Sequence, residues 1–448
     1  MRFWIDRHGC AKNDVDGEEI IARLEAAGHS YVEGPEAADL VIVNTCGFIE
    51  DAKRESIEAV VSLKSAYPGK RVLVAGCLAQ RYAKDLEQGL PEADGIVGNA
   101  DLSAVLAAAQ AIEAGKRPVM VPESAPSIGK VRRQRRFDFP GTAHVKATEG
   151  CSNHCSFCAI PLIRGELHSR PLEEVASECA DFVSQGAREI VLIGQDLGSF
   201  GRDYGASGGA DLSAESRLPD LLGRLTRIKG DFRVRTLYIH PDRFPERMLA
   251  LMRGDPRLVP YFDLPFQHAS SRILAAMNRK GSGTKYLELI ERIREALPDA
   301  AIRSTFLLGF PGETETDFQE LRDFQEKARL DWVGSFAYSR EEDTPAYAMH
   351  GRVPKKTVEA RRKEVEDAQE RITREKLERF VGRELDILVE ERVERASEDE
   401  ESLSLGRAWN QAPDVDGLTV LRGELAPGAM VKARILAVNG VDFDALPV

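Results

Sequence analysis

The chain has 448 residues, of which 43% are hydrophobic and 30% charged, and its formal net charge is −12. This length predicts two to four domains, and the composition is typical of a soluble globular protein. The sequence has no apolar run of about 18 residues and no signal-peptide pattern, so it predicts a cytoplasmic protein without a membrane span. The negative charge argues weakly against general nucleic-acid binding and fits a basic partner.

The first domain is predicted over residues 1–122, where strand and helix patterns alternate. Strands are predicted at 2–7, 39–44, 71–75 and 95–97, and helices at 14–27, 50–67, 78–87 and 102–114. Regular β-α alternation favours a parallel sheet with helices on both faces, which is an α/β fold.

A linker is predicted over residues 123–141, beginning in the Pro- and Ser-containing segment Pro122–Gly129. It includes the run Lys130–Arg136, in which five of seven residues are cations. Such a run could contact RNA or an acidic protein face, but a solvated connector is the favoured interpretation, because one short run in an acidic chain is weak evidence.

The central domain is predicted over residues 142–380. Six strand patterns are separated by helical ones, at 144–147, 189–193, 234–239, 261–264, 302–308 and 332–337. Six β-α units are too few for a closed eight-stranded barrel, so we expect an open partial (β/α)6 barrel with its chemistry at the C-terminal ends of the strands. A highly charged helical run from Lys355 to Phe380 follows, and we interpret it as a bridging helix with a solvated face.

The last domain is predicted over residues 381–448, where five short strand patterns with Gly, Asn and Asp turns indicate a small antiparallel β-barrel of OB-like size. From Leu377 to Val448 there are 15 acidic and 8 basic residues, and Glu398–Glu401 is wholly acidic. Phosphate binding needs the opposite sign, so a basic protein partner fits this barrel better than RNA.

One cysteine motif dominates the chain: Cys151, Cys155 and Cys158 stand at CxxxCxxC spacing. Clustered soft thiolates suit iron–sulfur clusters or zinc. A structural zinc site needs four ligands, yet the next cysteine, Cys179, is 21 residues further on in a helical pattern. Three thiolates therefore predict a 4Fe-4S cluster with one iron open to a substrate or cofactor.

A second trio is predicted in the first domain. Cys10, Cys46 and Cys77 each come just after a predicted strand, in the following loop. The C-terminal ends of parallel strands share one edge, so the three thiols can converge there on a second cluster. Each could instead be an ordinary buried cysteine, but three placed alike favour ligation. Cys179 is left over as a core residue.

Polar and glycine-rich residues at the ends of the central strands predict a ligand pocket at that rim. His240 and His268 also lie at this rim, and we expect them to be helix-capping or core residues without a chemical role. Glu313 precedes a predicted helix and could simply favour its dipole.

The cysteine loop resembles that of radical S-adenosylmethionine (SAM) enzymes, and the whole chain resembles their methylthiotransferase family, which ends in a TRAM domain. The matching stretches are Gly9–Asn13, Pro260–His268 and Tyr338–Pro345. These stretches are most similar to the branch of the family that modifies ribosomal protein S twelve.

This resemblance implies two 4Fe-4S clusters and SAM as cofactors. Cys151, Cys155 and Cys158 would bind the cluster that chelates and cleaves SAM, and the first-domain trio would bind an auxiliary cluster that carries sulfur. The resulting radical would take hydrogen from the β-carbon of an aspartate of ribosomal protein S twelve, a bond that no acid or base can activate. An electron donor and a sulfur donor are implied as further partners. Rim position and family likeness together suggest four SAM-pocket residues: Phe157, Gln195, Gln267 and Gly309.

Two alternatives remain at the level of sequence. In the nearer one the protein is a tRNA (adenosine) methylthiotransferase, whose basic run and barrel grip RNA. In the farther one it is a non-catalytic binding module that holds zinc in place of iron. No catalytic residue outside the clusters is predicted.

Overall fold

The computed structural model describes residues 1–123, 131–205, 210–394 and 402–448. The acidic run Glu398–Glu401 lies outside the described residues, as do Lys130 and most of the Pro122–Gly129 segment.

The N-terminal part is a six-stranded parallel sheet with the order β2-β1-β3-β4-β5-β6. Its strands are β1 (Arg2–Arg7), β2 (Ser30–Tyr31), β3 (Leu40–Thr45), β4 (Arg71–Gly76), β5 (Gly95–Gly98) and β6 (Val119–Met120). Its helices are α1 (Ala11–Ala26), α2 (Glu50–Ala66), α3 (Cys77–Gly89) and α4 (Ala104–Glu113). Alternate β3 residues enter different cores, Leu40 and Ile42 on one face and Val41 and Val43 on the other. The predicted α/β sheet is confirmed. The edge strands β2 and β6 were missed, because two residues are too few to show a period.

The central part is an open sheet of six parallel strands with the order β14-β13-β12-β11-β10-β7. The strands of this region are β7 (Thr142–Lys146), β8 (Thr148–Glu149), β9 (His168–Ser169), β10 (Glu189–Ile193), β11 (Arg233–Thr236), β12 (Leu258–Asp263), β13 (Ala301–Leu308) and β14 (Trp332–Ala337). Its helices are α5 (Ile160–Arg164), α6 (Leu172–Ser184), α7 (Leu218–Leu225), α8 (Arg247–Gly254), α9 (Ser271–Ala276), α10 (Gly283–Ala296), α11 (Glu315–Ala328) and α12 (Lys355–Leu377). All pairings in the large sheet are parallel, and β7 and β14 are its free edges, so the predicted partial barrel is confirmed. The charged helix α12 buries one face, with Val358, Val365 and Ile372 directed inward.

The C-terminal strands close into a five-stranded barrel with the order β15-β16-β17-β19-β18. They are β15 (Glu384–Arg392), β16 (Leu403–Arg407), β17 (Thr419–Arg422), β18 (Met430–Asn439) and β19 (Asp442–Pro447). The prediction of an antiparallel barrel was wrong at one pairing, because β17 and β19 run parallel. Periodicity identifies strands but not the direction in which distant strands meet. The barrel fills the inner face of the central sheet, where its Ile387 and Phe443 share a core with Val191 and Leu237.

The predicted basic run forms contacts between the first two parts of the chain. Arg133 is buried, and its guanidinium binds Glu18 of α1 at 2.5 Å and Glu178 of α6 at 2.8 Å. The more exposed Arg132 pairs with Asp181 at 2.6 Å. The prediction of a solvated connector was therefore wrong for Arg133. Two of the cations that an RNA-binding role would use are already paired with carboxylates of the same chain.

Candidate functional site

The central cysteine loop joins β8 to α5 at the C-terminal end of β7. Burial raises the pKa of all three of its thiols, that of Cys151 to about 12, and Cys158 interacts electrostatically with both Cys151 and Cys155. Gly150 has a φ of +67°, and a Cβ there would overlap the carbonyl oxygen of Glu166. Only glycine can make this turn, so the chain bends sharply and brings the three thiols together.

Two polar side chains that the sequence analysis did not identify contact this trio. The Asn153 amide donates to the Cys151 sulfur at 3.1 Å and to the Asp196 carboxylate at 2.8 Å. Burial raises the pKa of Cys155, and the buried guanidinium of Arg279 opposes that rise by proximity and a hydrogen bond. Asp196 lies three residues after the end of β10, at the rim where the sequence predicts a ligand pocket. Nothing in the sequence around Arg279 indicates its contact.

The N-terminal trio also converges. Burial raises the pKa of Cys46 to about 12, and the neighbouring Cys77 and Cys10 thiols add to the rise. Gly9 has a φ of +106°, and a Cβ there would lie 3.1 Å from that of Cys46. Cys10 lies in the loop before α1, as predicted, but the predicted loop position of Cys77 needs correction, because it is the first residue of α3. Asn99, which follows β5, donates to the Cys77 sulfur at 3.4 Å.

A buried guanidinium connects the two trios. Arg164, the last residue of α5, donates to the Cys77 sulfur at 3.2 Å and to the carboxylate of Asp16 at 2.9 Å. Its other amino group binds Glu149 at 2.8 Å, two residues before Cys151. Although burial opposes ionisation of Glu149, Arg164 and a neighbouring lysine hold the pKa of this carboxyl well below its usual range. The two cysteine loops therefore belong to one buried polar network.

Two of the four predicted SAM-pocket residues lie beside this network or the cysteine loop. The Gln195 amide donates to Glu149 at 2.8 Å, on the rim next to the loop. Phe157 stands within the cysteine motif and packs against a small core that includes Ile273 and Phe310.

The other two predicted residues shape the rim through their backbones. Gln267 adopts a φ of +67°, and its backbone N–H donates to the Thr305 carbonyl at 2.8 Å. Gly309 has a φ of +76°, and a Cβ there would collide with Val358 of α12. Its N–H donates to the Glu313 carboxylate at 2.8 Å, so packing accounts for this glycine at least as well as a ligand does.

The two rim histidines have structural roles in this geometry. His240 accepts from the backbone N–H of Asp242 at 3.3 Å. His268 accepts from the two backbone N–H groups that follow it, at 2.9 and 3.0 Å. Glu313 does more than favour a helix dipole, because it also forms an ion pair with Arg361 of α12 at 2.5 Å.

The donor set around the central loop fits a bound cofactor. Three buried oxygens there, on Thr148, Asn153 and Gln195, have no hydrogen-bond partner in the described protein, and such atoms are rare unless another group satisfies them. Within the described ranges, no three His, Cys, Asp or Glu side chains are close enough together to hold a single metal ion.

Comparisons with known proteins agree with this organisation. Residues 2–98 match the family model described as uncharacterized protein family UPF0004, residues 145–324 match the radical SAM superfamily, and residues 381–448 match the TRAM domain. Among solved structures, the radical S-adenosylmethionine methyltransferase TsrM from Kitasatospora setae has a TM-score of 0.55 at 15% identity, covering 77% of this chain and 74% of that one. At this identity the likeness concerns the fold alone.

The fold, the cysteine loop and the superfamily match together define a radical SAM enzyme. The sequence relatives narrow this class. The ribosomal protein uS12 methylthiotransferase RimO of Treponema denticola is 46% identical, covering 99% of this chain and all of that protein. The RimO of Moorella thermoacetica is 40% identical, covering 97% and 96%, and that of Thermotoga maritima is 38% identical, covering 95% and 94%. The chain belongs to the RimO family of methylthiotransferases.

Proposed function

We propose that the protein adds a methylthio group to the β-carbon of an aspartate of ribosomal protein S twelve (uS12). The relatives are named for that substrate and match this chain along nearly its whole length. The acidic C-terminal barrel supports the choice, since a basic ribosomal protein would be attracted to it. Of the described helices, none is long and apolar enough to cross a membrane. Because the proposed substrate is a ribosomal protein, we assign the protein to the cytoplasm.

The proposed cofactors are two 4Fe-4S clusters and SAM. Cys151, Cys155 and Cys158 would hold the first cluster, with SAM near Phe157, Gln195, Gln267 and Gly309; Cys10, Cys46 and Cys77 would hold the second. When bound, the clusters and SAM supply a carbon radical, sulfur and a methyl group. An electron donor and a sulfur donor complete the set of partners. Residues 1–122, 142–380 and 381–448 are the proposed domains, joined by a linker at 123–141.

The chain's own contribution is to hold the cysteines in a partly buried, charged setting. Burial disfavours an ionised cysteine, and hydrogen-bond donors on Arg164, Asn99, Asn153 and Arg279 offset that penalty. The four donors approach three different sulfurs, two in the central loop and one in the N-terminal trio.

The observation that carries the proposal is that Arg164 contacts both Cys77 of the N-terminal trio and Glu149, which lies two residues before Cys151. A simple SAM-cleaving enzyme needs only the central trio. Here a second trio converges in another domain and is tied to the first through one buried guanidinium. Two reactive centres at one junction suit a reaction that must first activate a C–H bond and then deliver sulfur to it.

The test is anaerobic reconstitution with iron, sulfide, SAM and reductant, in the presence of either uS12 or tRNA, with products analysed by mass spectrometry. We expect one methylthio group on an aspartate of uS12. The same group on a tRNA base would replace the substrate but keep the chemistry. Cleavage of SAM without modification of either would refute both substrates.

Two cysteine variants separate the proposed centres. Cys151→Ala should abolish SAM cleavage, whereas Cys46→Ala should retain cleavage and lose methylthiolation. Cys179→Ala is the matched control, because this cysteine is buried in the central core away from both trios. Methylthiolation that survives in Cys46→Ala would contradict the two-cluster assignment.

A further inference from the structure

Lys12 of α1 is a buried lysine, with only 8% of its surface exposed, and it follows Cys10 by two positions. Other buried charges of the same helix are matched, since Asp16 binds Arg164 at 2.9 Å and Glu18 binds Arg133 at 2.5 Å. In the described part of the chain, Lys12 has neither an ion pair nor a hydrogen bond. Its ammonium lies instead over the ring of Tyr238, 3.3 Å from the ring centroid.

This arrangement leaves a largely buried lysine whose positive charge has no anion partner among the described residues. Burying an isolated ammonium is costly, and a cation–π contact offsets only part of that cost. The buried carboxylates of α1 described above each pair with an arginine. Among the buried charges described, Lys12 is the exception. A cation in such a setting would bind a carboxylate strongly.

Backbone hydrogen bonds hold Tyr238 in the conformation that contacts Lys12. It follows β11 at the C-terminal rim and adopts a φ of +63°, which is unusual for a residue with a side chain. Its N–H donates to Asp263 at 3.1 Å, and its carbonyl accepts from Leu197 at 2.8 Å, which fixes this conformation. The ring therefore meets α1 at the rim of the predicted pocket.

Lys12 also lies at the junction of the two trios. The next residue, Asn13, accepts from Arg164 at 2.6 Å and from the Cys77 thiol at 3.3 Å. A side chain that enters at this junction would therefore meet the start of α1, the helix that carries Lys12.

We propose that Lys12 binds the carboxylate of the substrate aspartate and thereby positions its β-carbon. This inference rests on the proposed function and deepens it, since it explains how an acidic side chain is accepted in a pocket rich in carboxylates. The carboxylate of SAM has the same chemistry, but its proposed position is at the central trio, whereas Lys12 belongs to the helix that starts beside Cys10.

The test compares two enzymes with two substrates. Binding to reconstituted enzyme without reductant is measured for uS12 and for uS12 in which the target aspartate, located by mass spectrometry, is replaced by asparagine. Wild-type enzyme should bind the asparagine form at least about 30-fold more weakly, the effect of removing one partner of a buried charge pair. Lys12→Met should bind the two forms equally, and Lys12→Arg should recover the preference for aspartate.

Lys64→Met is the matched control, because Lys64 is a partly buried lysine of the same domain that already pairs with Asp94 at 2.7 Å. It should leave the preference unchanged. The iron content and the electron paramagnetic resonance spectrum of Lys12→Met should equal those of wild type, which separates a binding effect from loss of clusters. If Lys12→Met loses its clusters, Lys12→Gln, which also removes the charge but keeps a polar side chain, takes its place in the same comparison.

Each outcome has a separate meaning. Equal binding of the two uS12 forms by wild type would overturn the inference. A Lys12→Met variant that loses affinity for SAM but keeps its preference for aspartate would assign the lysine to SAM instead. If wild-type enzyme does not modify uS12 at all, the proposed function fails, and that failure is visible before any Lys12 variant is made.

Discussion

Replacing Arg133 with alanine should loosen the contact between the N-terminal part and the central sheet. Arg133 and Glu18 are 4% and 1% exposed, and the atoms that pair are 2.5 Å apart. Removing one partner of a buried ion pair leaves the other charge uncompensated, which costs about 3–5 kcal/mol. We expect a loss of that size in the free energy of unfolding, measured by urea denaturation of the apo protein with fluorescence of Trp4 as the N-terminal probe.

The pH dependence of this loss follows from Glu18. Burial raises the pKa of Glu18 to about 7, while the nearby Arg133 opposes that rise. Without Arg133 the pKa rises further, and the protonated carboxyl tolerates burial. The loss should therefore be smaller at pH 6 than at pH 9. At pH 6 the buried Glu18 carboxyl can stay protonated without Arg133, whereas at pH 9 the variant must either bury an unpaired carboxylate or keep a proton that the unfolded chain has released.

The adjacent Arg132 provides the matched control. Its side chain is 62% exposed and pairs with Asp181 at 2.6 Å. An exposed pair is worth about 0–1 kcal/mol, so Arg132→Ala should barely change the unfolding curve. Equal effects of the two substitutions, or a loss below about 1 kcal/mol for Arg133→Ala, would refute the reasoning that burial decides the contribution of each arginine.

Two further substitutions test the rim and the barrel interface. Gly309→Ala should lower the free energy of unfolding by about 2–4 kcal/mol in thermal melts, because the new Cβ strains the backbone and overlaps Val358. Gly312→Ala is the control: it brings the same backbone strain, but the nearest atom to its Cβ is 3.8 Å away, so it should lower the free energy of unfolding less. Burial raises the pKa of Asp416, which bonds to Tyr261, to about 6. Stability should fall by about 3 kcal/mol from pH 4 to above pH 6 through this group. Asp416→Asn should remove that dependence in urea titrations, and an unchanged profile would contradict it.

The sequence predicted the grouping of the central thiols because that grouping is local. CxxxCxxC spacing restricts three thiols to one loop whatever the surrounding fold. The N-terminal trio required a further step, the rule that parallel strands share an edge, and the structure does bring Cys10, Cys46 and Cys77 near one another. The position of Cys77 at a helix start was missed, since α3 follows β4 without a loop.

Contacts between distant segments were not predictable in the same way. Arg133 stood in a run that resembled a solvated connector, and its burial depends on Glu18 and Glu178, which come from two separate helices. Arg164 and Lys12 carry no local signal of their roles. Each is defined by neighbours more than 80 residues away in the chain, Cys77 for the first and Tyr238 for the second.

The sequence by itself determined the fold class, the order of the parts and the two groups of thiols, because strand period, helix period and ligand spacing are properties of short segments. The tertiary structure alone decided which charges are buried against each other, how the barrel fills the inner face of the central sheet, and which cations border the cysteine loops. These features depend on the distances between segments that are remote in the chain, and no local pattern records those distances.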